Sequence, residues 1–174
     1  MSLPPPLRPE GPYHVCFVCL GNICRSPVAE VVARAQIDKA GLAARVTVDS
    51  AGTGDWHVGH RMNSGSRAVL ASGGYDGDAH LARQFDRSWD PDLVLAMDKS
   101  NLKNLRALYR ADPGGQRDGS RVRLFGEVAG LGDAEVPDPY GGGPGDFAEV
   151  LRMVESAMPS LVSQLAAVAT QPRE

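Results

Sequence analysis

Cys19 and Arg25 stand six positions apart, and a serine follows: Cys19-Leu20-Gly21-Asn22-Ile23-Cys24-Arg25-Ser26. A thiolate is a strong nucleophile, and it is favoured beside a cation and at a helix N-terminus. A guanidinium presents a planar fork that fits two oxygens of a phosphate. The five residues between them must turn, leaving backbone N–H groups free to face an anion. Gly21 permits a backbone conformation that other residues resist. A hydroxyl at Ser26 could bond the sulfur and help it leave again. The pattern suits covalent chemistry at phosphorus, with sulfur attacking and the loop holding the oxygens.

That chemistry needs Cys19 at the end of one element and Arg25 at the start of the next. Tyr13-His14-Val15-Cys16-Phe17-Val18 reads as a short buried strand. Pro27 is suited to a first helical position, so the spacing predicts a helix from Pro27 to Ala40 with Ser26 as N-cap. Further strands are expected at Arg45–Ala51, Asp92–Met97 and Val122–Phe125, and helices at Ser64–Ser72 and Asn101–Tyr109. Phe147, Val150, Leu151, Val154, Met158, Leu161 and Leu165 recur at helical spacing and predict a final amphipathic helix, kinked at Pro159. Strands alternating with helices imply a parallel sheet covered on both faces. Ligands of such sheets bind beyond the carboxyl ends of the strands, where Cys19 falls.

The 174 residues suit one domain over residues 13–170, after a leader at residues 1–12 whose five prolines predict an extended or disordered segment. Apolar content of 43% and charged content of 22% are those of a soluble globule. A net charge of −3 gives no general attraction for nucleic acid or a membrane surface. No apolar run is long enough to span a membrane and no signal-peptide pattern opens the chain, so a cytoplasmic location is expected. Arg outnumbers Lys 15 to 3, the bias of a GC-rich bacterial genome. Cys16, Cys19 and Cys24 lie within nine residues and have no distant partner, which fits a reducing compartment. Cys16-Phe17-Val18-Cys19 also matches the C-x-x-C redox pattern, but a redox pair opens a helix, whereas Cys16 falls inside an apolar strand. Zinc on the three cysteines and His14 would need ligands pointing both ways from one strand. His57 and His60 read as solvated loop residues, and no metal or cofactor is expected.

The stretch Val18-Cys19-Leu20-Gly21-Asn22-Ile23-Cys24-Arg25-Ser26-Pro27 resembles the phosphate-binding loop of the low-molecular-weight protein tyrosine phosphatases, bacterial type. The likeness extends through Asp49-Ser50-Ala51-Gly52-Thr53, His80-Leu81-Ala82-Arg83-Gln84, Ala96-Met97-Asp98 with Asn101, and Asp138-Pro139-Tyr140. It implies a flavodoxin-like sheet of four parallel strands and metal-free hydrolysis of phosphotyrosine in proteins. Cys19 would be the nucleophile that forms a phosphocysteine. Arg25 and the backbone N–H groups from Leu20 to Arg25 would cradle phosphate or another oxyanion. Asp138 would be the general acid and then the base. Asn22 would shape the loop, partly through Ser50, and His80 with Glu30 would form a supporting pair near Ser26. Trp56 and Tyr140 would wall the phenyl ring, and Cys24 could trap an oxidised Cys19 as a disulfide. From the residues alone, Asp138-Pro139 reads equally as a turn pair and Trp56 as a surface aromatic.

The chain departs from the family pattern where Gly141 stands in place of a frequent second tyrosine, in the Gly142-Gly143-Pro144-Gly145 run, and in its leader. Two related groups share the loop. Arsenate reductases of this fold use further cysteines, and no cysteine follows Cys24. Arginine phosphatases tend to carry threonine where Ile23 stands.

Overall fold

The computed structural model describes residues 2–170. Four parallel strands, β1 (Tyr13–Cys19), β2 (Val46–Gly52), β3 (Leu93–Ala96) and β4 (Val122–Leu124), pair in the order β2-β1-β3-β4. Five helices accompany them: α1 (Arg25–Lys39), α2 (Ser64–Ser72), α3 (Lys99–Arg110), α4 (Phe125–Val128) and α5 (Pro144–Thr170).

β1 is central, and successive side chains of a strand point to opposite faces. Tyr13, Val15, Phe17 and Cys19 enter the core shared with Val28 and Val32 of α1 and Val154, Leu161 and Leu165 of α5. Cys16 and Val18 enter the other core, with Leu105 and Tyr109 of α3 and with Phe85. Burial on both faces explains why β1 reads as an unbroken apolar run rather than an alternating one. Parallel pairing sets every strand's carboxyl end on one edge of the sheet, and there the β1–α1 loop begins at Cys19.

The four-stranded parallel sheet and the expected elements agree with the sequence reading, with instructive differences. The first helix begins at Arg25 instead of Pro27, and Cys24 takes the cap position without a side-chain bond. Ser26 is therefore not the N-cap; its hydroxyl is held by groups brought from other elements, described below. Phe125 leaves the last strand and opens α4. As expected, α5 is one helix with Pro159 inside it.

The leader is extended, but it is laid against the body. Leu3 is buried in the main core, the Tyr13 hydroxyl donates to the Pro4 carbonyl at 2.9 Å, and Arg121 donates to the Pro5 carbonyl at 2.8 Å. The Leu7 N–H donates to buried Asp92 at 2.7 Å. The carbonyls of a proline-rich run have no intrasegment partners, and here the Tyr13 and Arg121 side chains take up those of Pro4 and Pro5. Met1 lies outside the described residues. Among the described residues no helix is long and apolar enough to cross a membrane.

Candidate active site

The loop from Cys19 to Cys24 is held from below and from the side. Thr53 and Gly54, just past β2, donate their N–H groups to the Cys19 and Leu20 carbonyls, each at 2.9 Å. The Asn63 N–H donates to the Ile23 carbonyl at 2.9 Å. Gly52 makes the first of these contacts possible: a Cβ there would lie 2.7 Å from the Leu20 carbonyl oxygen. Asn22 carries the sharpest turn, with φ of 58°, a conformation that asparagine tolerates better than most residues.

Asn22 is also the hub of the loop. Its Nδ2 donates to Ser26 Oγ and Ser50 Oγ, both at 2.9 Å, and its Oδ1 accepts from the Arg83 N–H at 3.0 Å. Its own carbonyl accepts from His80 Nε2 at 2.7 Å. Ser50 passes its single proton to Glu30 Oε1 at 2.8 Å. Glu30 and His80 therefore support the loop from separate sides, through Ser50 and Asn22, rather than as a pair beside Ser26. Ser26 Oγ lies 3.0 Å from Cys19 Sγ and 3.2 Å from the Ala51 carbonyl. With one proton it serves either acceptor, and a thiolate at Cys19 draws that proton.

Arg25 is 3% exposed. Its Nη1 donates to Asp98 Oδ2 at 2.7 Å and to the Val136 carbonyl at 3.1 Å. Its Nη2 lies 3.8 Å from Asp138 Oδ2. Burial alone would favour losing the proton. The Cys19 sulfur, the Asp98 bond and the Asp138 charge outweigh it and hold the guanidinium charged above its ordinary range. Its Nε is buried without a partner among the described residues. An orphaned buried donor is costly, and a bound oxyanion would satisfy it.

These groups meet in a cavity of about 160 Å³. Cys19, Leu20, Gly21, Ile23, Cys24 and Arg25 form its floor, and Trp56, His57, Asp138 and Tyr140 its rim. Trp56 and Tyr140 are 67% and 62% exposed, so both rings stand free to meet a ligand. Asp138 is 47% exposed, and its Oδ1 accepts from the Tyr140 N–H at 3.1 Å. It is the carboxylate in the cavity lining. Asn22, Ser26, Glu30, Ser50 and His80 stand behind the loop and line no part of the cavity. A roomier hollow of about 750 Å³ between α1 and β2 is lined by no cysteine.

The other cysteines are set apart from Cys19. Cys24 is buried, and burial, helped by the charges of Cys19 and Asp138, pushes its thiol up to about 12. Cys16 is wholly buried on the opposite face of β1, where burial and Asp49 push its thiol well up. That placement removes the C-x-x-C reading: three residues along a strand reverse the side, so Cys16 and Cys19 point apart.

Sequence reasoning missed four contributors. Asp98 holds Arg25 with Oδ2 and caps α3 with Oδ1, which accepts from the Asn101 N–H at 2.7 Å. An acid at a strand's carboxyl end, opening a helix, was the available signal. The Val136 carbonyl left none. Arg83 braces the loop with its N–H on Asn22 and its Nε on the Ser50 carbonyl at 3.1 Å. His57 was expected in solvent. It lines the cavity, covers Gly21, and sets its ring 6.1 Å from that of Tyr140.

A free thiol at the carboxyl end of a central parallel strand, over an anion-ready loop and a buried arginine, defines a cysteine-centred oxyanion site on a flavodoxin-like sheet. The chain belongs to the low molecular weight phosphotyrosine protein phosphatase family, which it matches over residues 14–171. It is 51% identical over 157 residues to the low molecular weight protein-tyrosine-phosphatase of Streptomyces coelicolor, covering 87% of this chain and 92% of that protein. The crystal structure of YfkJ from Bacillus subtilis superposes with a TM-score of 0.80 at 34% identity, over 91% of this chain and 97% of that one. That of a Drosophila arginine phosphatase superposes with a TM-score of 0.78 at 29% identity, over 86% and 95%.

Proposed function

We propose that this enzyme hydrolyses phosphotyrosine in proteins through a phosphocysteine on Cys19, without a metal ion. The observation that carries the reading is convergence: Cys19, Arg25, Asp138 and two exposed rings share one small cavity. The Cys19 thiolate attacks phosphorus, the bond from phosphorus to the phenolic oxygen breaks, and Asp138 gives its proton to that oxygen. Asp138, now a carboxylate, takes a proton from water as the water attacks the phosphocysteine. The sulfur leaves as thiolate, stabilised by the Ser26 hydroxyl 3.0 Å away. Arg25 and the loop N–H groups face the charge that develops on the phosphoryl oxygens, the arrangement that commonly supplies the largest catalytic term. The reaction requires a free thiol, so the reading carries a reducing compartment with it.

Ile23 on the cavity floor favours an aryl phosphate over phosphoarginine, since an apolar floor offers a guanidine nothing to bond. The test is turnover of phosphotyrosine, phosphoarginine and phosphoserine peptides by wild type, Cys19→Ser and Asp138→Asn. Phosphotyrosine should be preferred and Cys19→Ser should be inactive. Asp138→Asn should lose about 10²- to 10⁴-fold on phosphotyrosine, the usual reach of general acid catalysis, and less on a strongly activated nitrophenyl phosphate. Near-full activity of Asp138→Asn between about pH 5 and 8 would remove Asp138 from the role.

A further inference from the structure

Tyr140 lines a second hollow as well as the catalytic cavity. This groove, of about 760 Å³, runs between α2 and the start of α5. Ala68 and Val69 form one side, Phe147 and Ala148 the other, and the strip from Gly141 to Pro144 closes the end nearest the catalytic cavity. Its width has a cause in the sequence. Phe147 lies flush against α2, because Gly65 offers no Cβ where one would sit 2.5 Å from the ring. Gly141 and Gly143 have open space where a side chain would begin. The position that frequently carries a second tyrosine in the family is therefore open space beside the groove.

The walls carry no charged side chain; their only polar side chains are Asn63, Ser64 and Ser72, all neutral, and Tyr140. Arg67, next in sequence to Ala68, is turned away to the Met62 carbonyl at 3.0 Å and to Asp78 at 3.8 Å. Asp146 is engaged by the Gly143 N–H at 2.9 Å. The groove thus offers no cation to an acidic peptide, and Ala68, Val69, Pro144, Phe147 and Ala148 offer an aliphatic side chain apolar contact.

We propose that this groove is the subsite for an apolar side chain of the substrate protein, close in sequence to the phosphotyrosine. The proposal rests on the phosphatase reading above and deepens it by naming a substrate class. In an extended peptide, side chains two residues apart point to the same face and stand about 7 Å apart. With phosphotyrosine in the catalytic cavity, the residue two positions away crosses the Tyr140 ring and enters the groove.

The experiment uses phosphotyrosine peptides with glycine flanks, into which leucine or aspartate is placed singly at each position up to two residues either side. Leucine at one of the two outer positions should raise kcat/KM roughly 5- to 20-fold over glycine, the scale of partly burying one aliphatic side chain, and aspartate should not. Ala68→Arg and Ala148→Arg, on opposite walls and both exposed, should each remove the leucine advantage and improve the aspartate peptide. Both should leave p-nitrophenyl phosphate turnover unchanged. A flat series with brisk turnover of the glycine peptide would overturn the groove alone. So would a leucine advantage that survives in both variants. Self-association of the wild type that Ala68→Arg abolishes would assign the groove to a second copy and overturn the proposal. No turnover of the glycine peptide or of p-nitrophenyl phosphate would overturn the phosphatase reading, and the groove with it.

Discussion

Replacing Asn22 by alanine tests whether the loop is held by one side chain. Asn22 is fully buried, so water cannot replace what is lost. Three bonds go: the donations to Ser26 and Ser50, and the acceptance from the Arg83 N–H. The two serines keep other partners, at Cys19 and Glu30, so each loss should sit near the net value of a hydrogen bond, about 1 kcal/mol. The Arg83 N–H is left without its acceptor, which costs nearer 2 kcal/mol. Alanine at a φ of 58° adds about 1 kcal/mol of backbone strain. The sum is roughly 5 kcal/mol, a large part of the 5–15 kcal/mol by which such a domain is stable. Asn22→Gly loses the same bonds without the strain and should unfold about 1 kcal/mol later than Asn22→Ala. Urea unfolding of the three proteins in phosphate-free buffer measures the order directly. Both variants should also lose kcat on an aryl phosphate, since the loop N–H groups would no longer be pre-set. A stability loss under about 1 kcal/mol for Asn22→Ala, or an alanine variant as stable as the glycine one, would refute the reasoning.

The rim and the sheet edge give two further tests. Trp56→Ala and Tyr140→Ala should each lower kcat/KM on phosphotyrosine peptides roughly 3- to 30-fold while leaving short alkyl phosphates untouched, because an aromatic contact is lost and no reacting group is. Equal losses on both substrates would make the rings structural. Burial would raise the Asp49 carboxyl, but His14 at 2.8 Å and Arg83 at 2.6 Å overcome this and hold it below its ordinary range. A depressed carboxyl contributes stability above its unfolded pKa of about 3.9, lost as pH falls through the folded value. The stability gap between wild type and Asp49→Asn should therefore be widest near neutrality and shrink below about pH 4, as read from urea midpoints. A gap independent of pH would remove the ion pairs from the account.

Cys19, Arg25 and Asp138 were legible as candidates for one site because each carries a local signal. Cys19 and Arg25 lie between an apolar strand and a helix-opening proline, and Asp138 sits in a Gly/Pro-rich loop beside an aromatic. Among inferences that needed a distant partner, Asn22 does reach Ser50, but others failed. Ser26 looks like a cap beside Pro27, but Asn22 and Cys19 engage its hydroxyl, and the helix starts two residues earlier, at Arg25. The family resemblance implies a Glu30–His80 pair, yet Asn22 lies between them, 8 and 58 residues from each. The leader's prolines mark extended chain, and nothing in that composition announces that Arg121 and Arg123 will bond its carbonyls. Cys16 was separable from Cys19 on period alone, since strand alternation fixes the side of a residue without any tertiary knowledge.

Asp98 shows why the hidden part of the site matters as much as the legible part. An unrestrained arginine has about 2 kcal/mol of rotamer entropy to lose when it closes on a phosphate. Asp98 and the Val136 carbonyl fix Nη1 of Arg25 from one side, so that loss is taken during folding. The restraint is one-sided: Nε keeps no partner among the described residues and Nη2 has only Asp138, 3.8 Å away, so donors are left for the ligand. The same carboxylate caps α3, which ties the clamp's orientation to the packing of a helix on the far face of the sheet. A preorganised charge gains its advantage by not moving when the reaction's charge develops. On this fold that immobility comes from the sheet's carboxyl edge, where β1 supplies the sulfur, α1 the cation and the turn from β3 into α3 the carboxylate that holds the cation still.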